Sequence, residues 1–235
     1  MPEAPFRRLA IGVLVNDKTL HDEKVKDQPK RFVDVHNLAT IFQKDPLLIN
    51  IIHLSLEDKR ALLPSLERLT MLGGSNLHGF QLNVVWPDPS ALCKFRKKWL
   101  KTKRSQPWLI LQISKKTLEE IDYNSVNLCK KLLEYKNCIT DVLIDPSGGK
   151  GELLDIDEME KFIRAITFEH PGVGIGIAGG LTAENIKVAE KLMWQYPNLS
   201  IGSGRALSDQ HGSIEIEKAK ALIKKVFSIQ ECFID

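Results

Sequence analysis

The amino-acid sequence predicts an α/β protein in which parallel β-strands alternate with α-helices. Three short apolar runs in the C-terminal part, Val142–Ile144, Val173–Ala178 and Leu199–Ile201, each end at a polar or glycine-rich corner. A helical pattern follows each corner, and this alternation is typical of strands joined by crossover helices. In such sheets ligands bind at the carboxyl ends of the strands, because the loops and the helix N-termini meet there.

Four apolar runs earlier in the chain extend this pattern. They predict strands over Leu9–Val15, Leu47–Leu54, Gly79–Val85 and Trp108–Ile113. The sequence therefore predicts seven strands, whereas a closed (β/α) barrel has eight. Either a further strand is hidden within Arg31–Val35 or the barrel is incomplete, and an open doubly wound sheet is the competing architecture.

Helices are predicted between the strands by apolar residues at helical spacing. The predicted segments are Phe32–Phe42, Glu57–Leu72, Pro87–Thr102, Leu118–Tyr135, Asp155–Ile166, a helix with Thr182 as its N-cap, and Ser213–Phe227. Lys18–Lys30 has no periodic apolar face and predicts a long loop, which is usually either functional or disordered. No linker or break in composition interrupts the 235 residues, so we expect residues 1–235 to form a single domain.

Composition and charge indicate an ordinary globular domain. Hydrophobic residues make up 43% of the chain, which is enough to bury a core, and the net charge is only +3. A basic run over Lys94–Arg104 is interpreted as a solvated helix face, so no nucleic-acid partner is predicted. No apolar run is long enough to span a bilayer and the N-terminus lacks a signal-peptide core, so no membrane partner is expected.

Cysteines and histidines show no pattern that predicts a metal site. The cysteines are Cys93, Cys129, Cys138 and Cys232, without CxxC spacing or nearby histidine pairs. Their distribution argues against structural zinc and against a disulfide framework, and it fits a cytoplasmic protein. His53 and His78 are expected to be satisfied core or loop histidines rather than catalysts. No nucleotide-cofactor fingerprint occurs, so neither a metal nor a cofactor is predicted.

Two glycine-rich corners are the main indication of a ligand. Gly179-Gly180 and Gly202-Ser203-Gly204 each follow a predicted strand and precede a predicted helix N-terminus. Residues without bulk let a backbone approach an anion closely, and the free N–H groups and dipole of a helix N-terminus favour negative charge. The sequence therefore predicts that Gly179, Gly180, Gly202, Ser203 and Gly204 bind a phosphate, although the same residues also suit tight strand–helix turns.

Polar residues at predicted strand ends are the other site candidates. Asp145 ends a strand, where a catalytic or ligand-contacting role competes with helix capping or pairing to a lysine. Arg205 follows the second glycine corner and can contact a phosphate or carboxylate with two hydrogen bonds. Asn83 is either a polar substrate contact or only the end of its strand. Lys150 lies in an SGGKG loop that is not a Walker motif, and it is a candidate anion contact.

The C-terminal third contains three corner segments, which read LIDPSGGKGELLDI, GIAGGLTAENI and LSIGSGRAL. In this order and at these spacings they resemble the last three strand–helix corners of phosphoribosylanthranilate isomerase, a barrel of the ribulose-phosphate-binding type. LHGFQLN at Leu77–Asn83 is similar to the family's fourth strand, and KDQPKRFVDVHNL at Lys26–Leu38 is similar to its second loop. The resemblance covers most of the chain from about Leu9, and it favours a TIM-type barrel over an open sheet.

The resemblance also implies a reaction. The family catalyses an Amadori rearrangement, in which a general acid protonates the ribose ring oxygen and a general base removes the C2 proton. The resemblance implies that Asp145 is the acid and that Arg31 contacts the substrate carboxylate. The family's base is a cysteine in a KICG-type motif on its first strand, but no cysteine precedes Cys93 here. Leu9–Val15 then matches the family's second strand, and Ser200 replaces an aspartate on the last strand.

Three functional classes follow from these observations. The first is an isomerase acting on a phosphorylated sugar derivative, or a lyase of related chemistry, with Asp145 as proton donor. The second is a non-catalytic barrel that binds a phosphorylated metabolite as a sensor or subunit; loss of the base would slow catalysis about a hundred- to ten-thousandfold. The third is an interaction module, because an absent strand leaves a sheet edge that invites homodimerisation or capping by the Lys18–Lys30 loop. The isomerase-like interpretation is adopted for classification.

Overall fold

The computed structural model describes residues 7–21, 23, 29–102, 105–147 and 154–231. Within these residues seven strands are hydrogen-bonded in the order β1-β2-β3-β4-β5-β6-β7, which is also their order in the chain. They are β1 (Leu9–Asn16), β2 (Leu48–Ser55), β3 (Gly79–Asn83), β4 (Trp108–Ser114), β5 (Asp141–Asp145), β6 (Gly174–Ala178) and β7 (Ser200–Gly202). Each of the predicted strands is confirmed, with small shifts at its ends.

Helices follow every strand. They are α1 (Asp17–Leu20), α2 (Leu38–Ile41), α3 (Leu62–Leu72), α4 (Pro89–Lys101), α5 (Lys115–Glu119), α6 (Ser125–Leu132), α7 (Ile156–Glu169), α8 (Glu190–Gln195) and α9 (Ile216–Glu231). Short 3-10 turns lie at Pro29–Arg31, Val35–Asn37, Lys59–Ala61, Leu133–Tyr135, Ile186–Ala189 and Arg205–Leu207. No helix among the described residues has both the length and the apolar character needed to cross a membrane.

The chain divides into two compact units. Arg7–Gln112 together with Leu132–Asp141 form the first, called the N-terminal unit here. Ile113–Lys131 together with the described residues from Val142 onward form the second, called the C-terminal unit.

Parallel pairing organises the N-terminal unit. β1 pairs with β2 from Leu9↔Leu48 to Asn16↔Ser55, and β3 continues the sheet on the other side of β2. Asp88 is the N-cap of α4, and its side chain accepts a hydrogen bond from Ser90 N. Pro89 is the first residue of the helix. Its buried Phe95 packs edge-to-face on Phe80 of β3, with 5.5 Å between the ring centroids. This packing fixes α4 against the sheet.

Parallel pairing also organises the C-terminal unit, where β6 and β7 are in register from Gly176↔Ser200 to Ala178↔Gly202. Asp155 is the N-cap of α7, and its side chain accepts a hydrogen bond from Glu158 N. Apolar residues at helical spacing predict a buried stripe on this helix. Its members Met159, Phe162, Ile163 and Ile166 are each at most 1% exposed, whereas Ile156 at the N-terminal end is only half-buried. A helix with one such face is stabilised mainly by packing, not by propensity.

The predicted helix over Leu118–Tyr135 is wrong as a single element, because the structure has α5, α6 and a 3-10 turn there. Asp122 and Tyr123 adopt positive φ angles of 55° and 51°, which end α5. The Asn124 side chain then accepts from the N–H groups of Val126 and Asn127, and this cap starts α6.

The region before β2 also differs from the prediction. The described residues contain no strand within Arg31–Val35, where 3-10 turns occur instead. Of the predicted helix over Phe32–Phe42, only the Val35–Asn37 turn and α2 are helical. The predicted loop starts with the short helix α1, because the Asn16 side chain caps it through Thr19 N, and most of residues 22–28 lie outside the described part of the chain.

A disulfide joins Cys93 of α4 to Cys138, which precedes β5. The expectation that the cysteines form no disulfide is therefore wrong for this pair. The two residues are 45 positions apart in the chain and their Cα atoms are 5.2 Å apart. Only the fold brings them together, so their spacing in sequence carried no sign of the bond.

Candidate functional site

The two glycine-rich corners lie side by side in the C-terminal unit. Ala178, the last residue of β6, is the register partner of Gly202, the last residue of β7. The bend at Gly179-Gly180 and the bend at Ser203-Gly204 therefore leave adjacent strands at the same level. The Ser203 hydroxyl donates a hydrogen bond to the carbonyl of Leu181 at 2.6 Å, and this bond ties the two bends together.

Three backbone N–H groups at these bends are open, which here means that they have no hydrogen-bond acceptor among the described residues. The N–H groups of Gly180, Leu181 and Gly204 donate to no acceptor within the described residues. Gly204 is exposed, and a Cβ added to it would meet no atom within 4 Å. Backbone N–H groups without an acceptor on neighbouring turns are donors of the kind that bind anions.

The first bend depends on its glycines and on Asn185. Gly179 and Gly180 have φ angles of 140° and 59°, a region that side chains disfavour. The Asn185 amide nitrogen donates to the carbonyl of Gly180 at 2.8 Å, while its oxygen accepts from Thr182 N at 2.8 Å. One side chain thus closes a turn over residues 180–185.

The prediction that a helix begins at each corner is wrong. After the first bend, helical structure begins only at Ile186, and α8 is six residues long. The Asn185 side chain explains the delay, since it binds the backbone of Gly180 and Thr182 in a turn and so competes with a first helical turn. After the second bend there is only the three-residue turn Arg205–Leu207. The open N–H groups belong to the bends themselves, not to helix termini.

Asp145 is the last residue of β5, and its side chain lies on the face of the sheet that carries Leu143 and Ala178. A Cβ built on Gly202 would lie 3.1 Å from Ala178 Cβ and 3.5 Å from Leu143 Cδ1, so side chains from β5 and β6 meet at Gly202. Asp145 is two residues beyond Leu143 and points to the same face. Its carboxylate accepts a 2.6 Å hydrogen bond from the hydroxyl of Ser147, which is buried. Sequence analysis did not single out Ser147 as a partner of the carboxylate.

The other predicted site residues are distributed over the chain. Arg205 is exposed and immediately follows the second bend. Lys150 lies outside the described residues. Asn83 belongs to the N-terminal unit, where its amide donates to Ser55 Oγ at 3.2 Å at the end of β3. Arg31 belongs to the same unit, in the turn Pro29–Arg31.

A polar cluster in the N-terminal unit, partly buried, was missed by sequence analysis. His53 of β2 has its Nε2 atom buried without a hydrogen-bond partner, so it is not the satisfied core histidine expected. Burial, and next the positive charge of Arg31, lower the pKa of His53 to about 4, although a hydrogen bond with Gln112 opposes the shift. Gln81 Nε2 donates to Gln112 Oε1 at 2.9 Å. In the sequence, the only indication of this cluster was that polar residues occur within strands that are otherwise apolar.

Comparisons with known proteins relate the chain to a family. A family model for N-(5'phosphoribosyl)anthranilate (PRA) isomerase matches residues 103–228, more than half of the chain. The crystal structure of TrpF from Jonesia denitrificans is similar, with a TM-score of 0.56 and 14% identity over 94% of this chain and 86% of that chain. No curated protein sequence matches the chain.

A second solved structure, a putative 2-pyrone-4,6-dicarboxylic acid hydrolase from Pseudomonas putida, has a TM-score of 0.43 and 15% identity over 83% of this chain and 70% of that chain. That likeness is too weak to support an argument. The likeness to TrpF shows an α/β fold of the TIM-barrel type, here with seven strands among the described residues instead of the eight of a closed barrel. The family model, which covers more than half of the chain, shows that this chain belongs to the PRA isomerase family.

Proposed function

We propose that the chain binds a phosphorylated sugar derivative in the C-terminal unit and catalyses its Amadori-type aldose–ketose isomerisation. The observation that carries the proposal is the side-by-side position of the two glycine-rich bends, with open N–H groups at Gly180, Leu181 and Gly204. Backbone N–H groups without a protein acceptor on adjacent turns favour binding of a phosphate group.

In the proposed complex the phosphate accepts hydrogen bonds from the bends that contain Gly179, Gly180, Gly202, Ser203 and Gly204. The small residues allow a close approach, and Arg205 adds a positive charge beside the second bend. The Ser203 side chain already donates to Leu181, so its part in binding is to hold the bends together. Arg31, Asn83 and Lys150 are proposed as substrate contacts only on the resemblance to the family.

Asp145 is the proposed general acid. Its position at the carboxyl end of β5 is where (β/α) barrels carry catalytic groups. To protonate the ring oxygen of the sugar it must hold a proton when the substrate binds. The hydrogen bond from Ser147 fixes the orientation of the carboxyl group.

We propose that the reaction takes place in the cytoplasm, since the cysteine spacing of the sequence fits that compartment. The Cys93–Cys138 disulfide speaks against this location, because disulfides are unusual in the cytoplasm.

A second function is favoured by one sequence observation, the absence of any cysteine before Cys93. If no other residue replaces the general base of the family, the chain binds a phosphorylated metabolite without converting it. Both functions share the phosphate site and differ only in turnover.

Calorimetry tests the shared part of the proposal. Ribose 5-phosphate and inorganic phosphate are expected to release or absorb heat on binding, whereas ribose without phosphate is not. No heat with either phosphate compound would contradict both functions.

Complementation of a tryptophan-requiring host that lacks PRA isomerase separates the two functions. Growth with the wild type, and loss of growth with Asp145→Asn, would support the isomerase with this acid. Growth with both would remove Asp145 from the mechanism. No growth with the wild type, together with phosphate binding in the calorimeter, would support the binding protein.

A further inference from the structure

A pocket of about 310 Å³ lies in the N-terminal unit, where β4 and β5 begin. Its walls are formed by Gln106, Pro107, Trp108, Thr140 and Asp141. Thr140 N donates to Leu109 O and Leu109 N donates to Thr140 Oγ1, each at 2.9 Å, so the two wall segments are held together. Pockets that bind small molecules range upward from roughly 300 Å³. None of these wall residues belongs to the proposed phosphate site.

Asp141 brings an uncompensated carboxyl group to this wall. Its Oδ2 atom is buried and has no hydrogen-bond partner, and the only other such side-chain atom among the described residues is His53 Nε2. Burial raises the pKa of Asp141, and a hydrogen bond with Thr140 opposes the shift. A carboxylate taken out of water is costly unless a positive or hydrogen-bond-donating group approaches it. Asp141 therefore favours an occupant that carries a positive charge and N–H donors.

Other polar groups of the wall already have partners. The Thr140 hydroxyl is bonded to the backbone of Leu109, and Gln106 Oε1 accepts from Arg96 Nε at 2.9 Å. The Arg8 guanidinium lies over the Trp108 ring, 5.3 Å from its centroid. Because Arg8 covers a face of this ring, an incoming cation is directed to Asp141. Asp141 is thus the wall residue that can orient a ligand.

Apolar surface lies beside this carboxyl group. Pro107 is buried and Trp108 is half-buried, and both offer contact to a carbon skeleton. A metal ion would need several ligands that converge on it. The part of the chain that the structure describes has no group of three His, Cys, Asp or Glu side chains that could hold one. The pocket therefore fits an organic cation better than a metal ion.

We propose that this pocket binds a small organic ammonium ion, with the ammonium group at Asp141 and the apolar body against Pro107 and Trp108. The ammonium group supplies the donor that the carboxylate lacks, and such charge-assisted hydrogen bonds are stronger than bonds between neutral groups. This ligand differs in class from the phosphorylated sugar proposed for the C-terminal unit. The inference does not depend on that proposal.

An NMR titration of the full chain compares phenethylamine with phenethyl alcohol, which has the same apolar body but a neutral hydroxyl group. Phenethylamine is expected to shift the indole N–H signal of Trp108, and not that of the exposed Trp194, with a Kd of about 1 mM or lower. Phenethyl alcohol is expected to bind at least about tenfold more weakly. Absence of saturable binding by the amine would overturn the proposal, and so would equal affinities of the two compounds.

Replacement of the carboxyl group tests its role directly. Asp141→Asn removes the charge at almost constant size and is expected to weaken phenethylamine binding at least about tenfold. The matched control is Asp157→Asn, at an exposed aspartate of the C-terminal unit, and it is expected to bind like the wild type. An affinity that Asp141→Asn leaves unchanged would contradict the inference.

A second pair of variants leaves the carboxyl group untouched. Gln106→Trp, at an exposed wall residue, is expected to fill the pocket and to weaken phenethylamine binding at least about tenfold. Ser105→Trp is the control, because Ser105 is exposed and adjacent but does not line the pocket. Thermal unfolding checks that each variant folds. Equal binding by the two tryptophan variants would place the amine elsewhere and overturn the proposal.

Discussion

At the scale of single residues, the proposed phosphate site depends on Gly204. Its exposed position and its open N–H group leave room for an anion at the second bend. A side chain at this position would occupy that room without displacing a described atom, since nothing lies within 4 Å of an added Cβ. The role of this residue is therefore open to a direct test.

Gly204→Leu is expected to weaken binding of ribose 5-phosphate at least tenfold, or about 1.4 kcal/mol. Calorimetry measures the affinity, and thermal unfolding checks that the variant folds. Gly172→Leu is the matched control, because an added Cβ there also meets no atom within 4 Å. Equal affinities of Gly204→Leu and the wild type would place the phosphate elsewhere.

Asn185 supports the first glycine-rich bend through its side chain. It binds Gly180 O and Thr182 N, so it fixes the bend whose N–H groups are open. Asn185→Ala is expected to weaken phosphate binding about tenfold, because each lost hydrogen bond is worth roughly 1 kcal/mol and the bend is no longer held ready. NMR hydrogen exchange at the Thr182 amide, which donates to the Asn185 side chain, is expected to become faster.

The control for this prediction is Asn198→Ala, an exposed asparagine in the same unit. It is expected to leave both the affinity and the exchange rates unchanged. If Asn185→Ala unfolds at a lower temperature but binds phosphate as the wild type does, Asn185 is structural only.

At the scale of secondary-structure elements, the strands were more predictable than the helices. Apolar runs of three to eight residues are read from local sequence, and all the strand predictions held. Helix limits were decided by side chains that bind the backbone, such as Asn124 before α6 and Asn185 before the Ile186–Ala189 turn. Whether an asparagine caps a helix or closes a turn depends on neighbours that the local pattern does not specify.

The α4 helix is joined to the segment before β5 by the Cys93–Cys138 disulfide. Cys93→Ser is expected to lower the free energy of unfolding by about 2–4 kcal/mol without reductant, because the bond restricts the unfolded chain. Urea titrations with and without dithiothreitol measure the effect. The wild type is expected to lose stability on reduction and the variant is not. An equal response of the two proteins would show that the bond does not form in solution.

At the scale of the whole molecule, the half-buried His53, whose Nε2 atom is buried, links stability to pH. Its pKa is lowered to about 4 in the folded chain from an ordinary value of 6.5. The unfolded chain therefore takes up a proton first as the pH falls. The contribution of the neutral imidazole to stability is present above pH 6.5 and is lost progressively as the pH falls towards 4, by roughly 3 kcal/mol in total.

His53→Gln is expected to reduce this dependence, because glutamine does not titrate. Urea unfolding at pH 7 and pH 4.5 measures the difference in free energy of unfolding for each protein. His21→Gln, at an exposed histidine, is the control and is expected to keep the slope of the wild type. A pH dependence that His53→Gln leaves unchanged would assign the acid sensitivity to other groups.

The sequence by itself determined the alternation of strands and helices, and its three corner segments identified the family. Both rest on local patterns of apolar, glycine and polar residues, which need no knowledge of the fold. The prediction of a phosphate site at Gly179–Gly180 and Gly202–Gly204 came from the same patterns. It stays a prediction until a ligand is measured.

Only the tertiary structure decided how distant residues meet. The pairing of Ala178 with Gly202 places the two bends at the same level of adjacent strands. In β1, the hydrogen bond from Leu9 N to Leu47 O means that the backbone groups of the even-numbered residues point away from β2. Folding brought Cys93 to Cys138 and placed His53 within reach of the charge of Arg31. These outcomes depend on pairing between segments far apart in the chain, and such pairing is set by the packing of the whole sheet instead of by any single stretch of sequence.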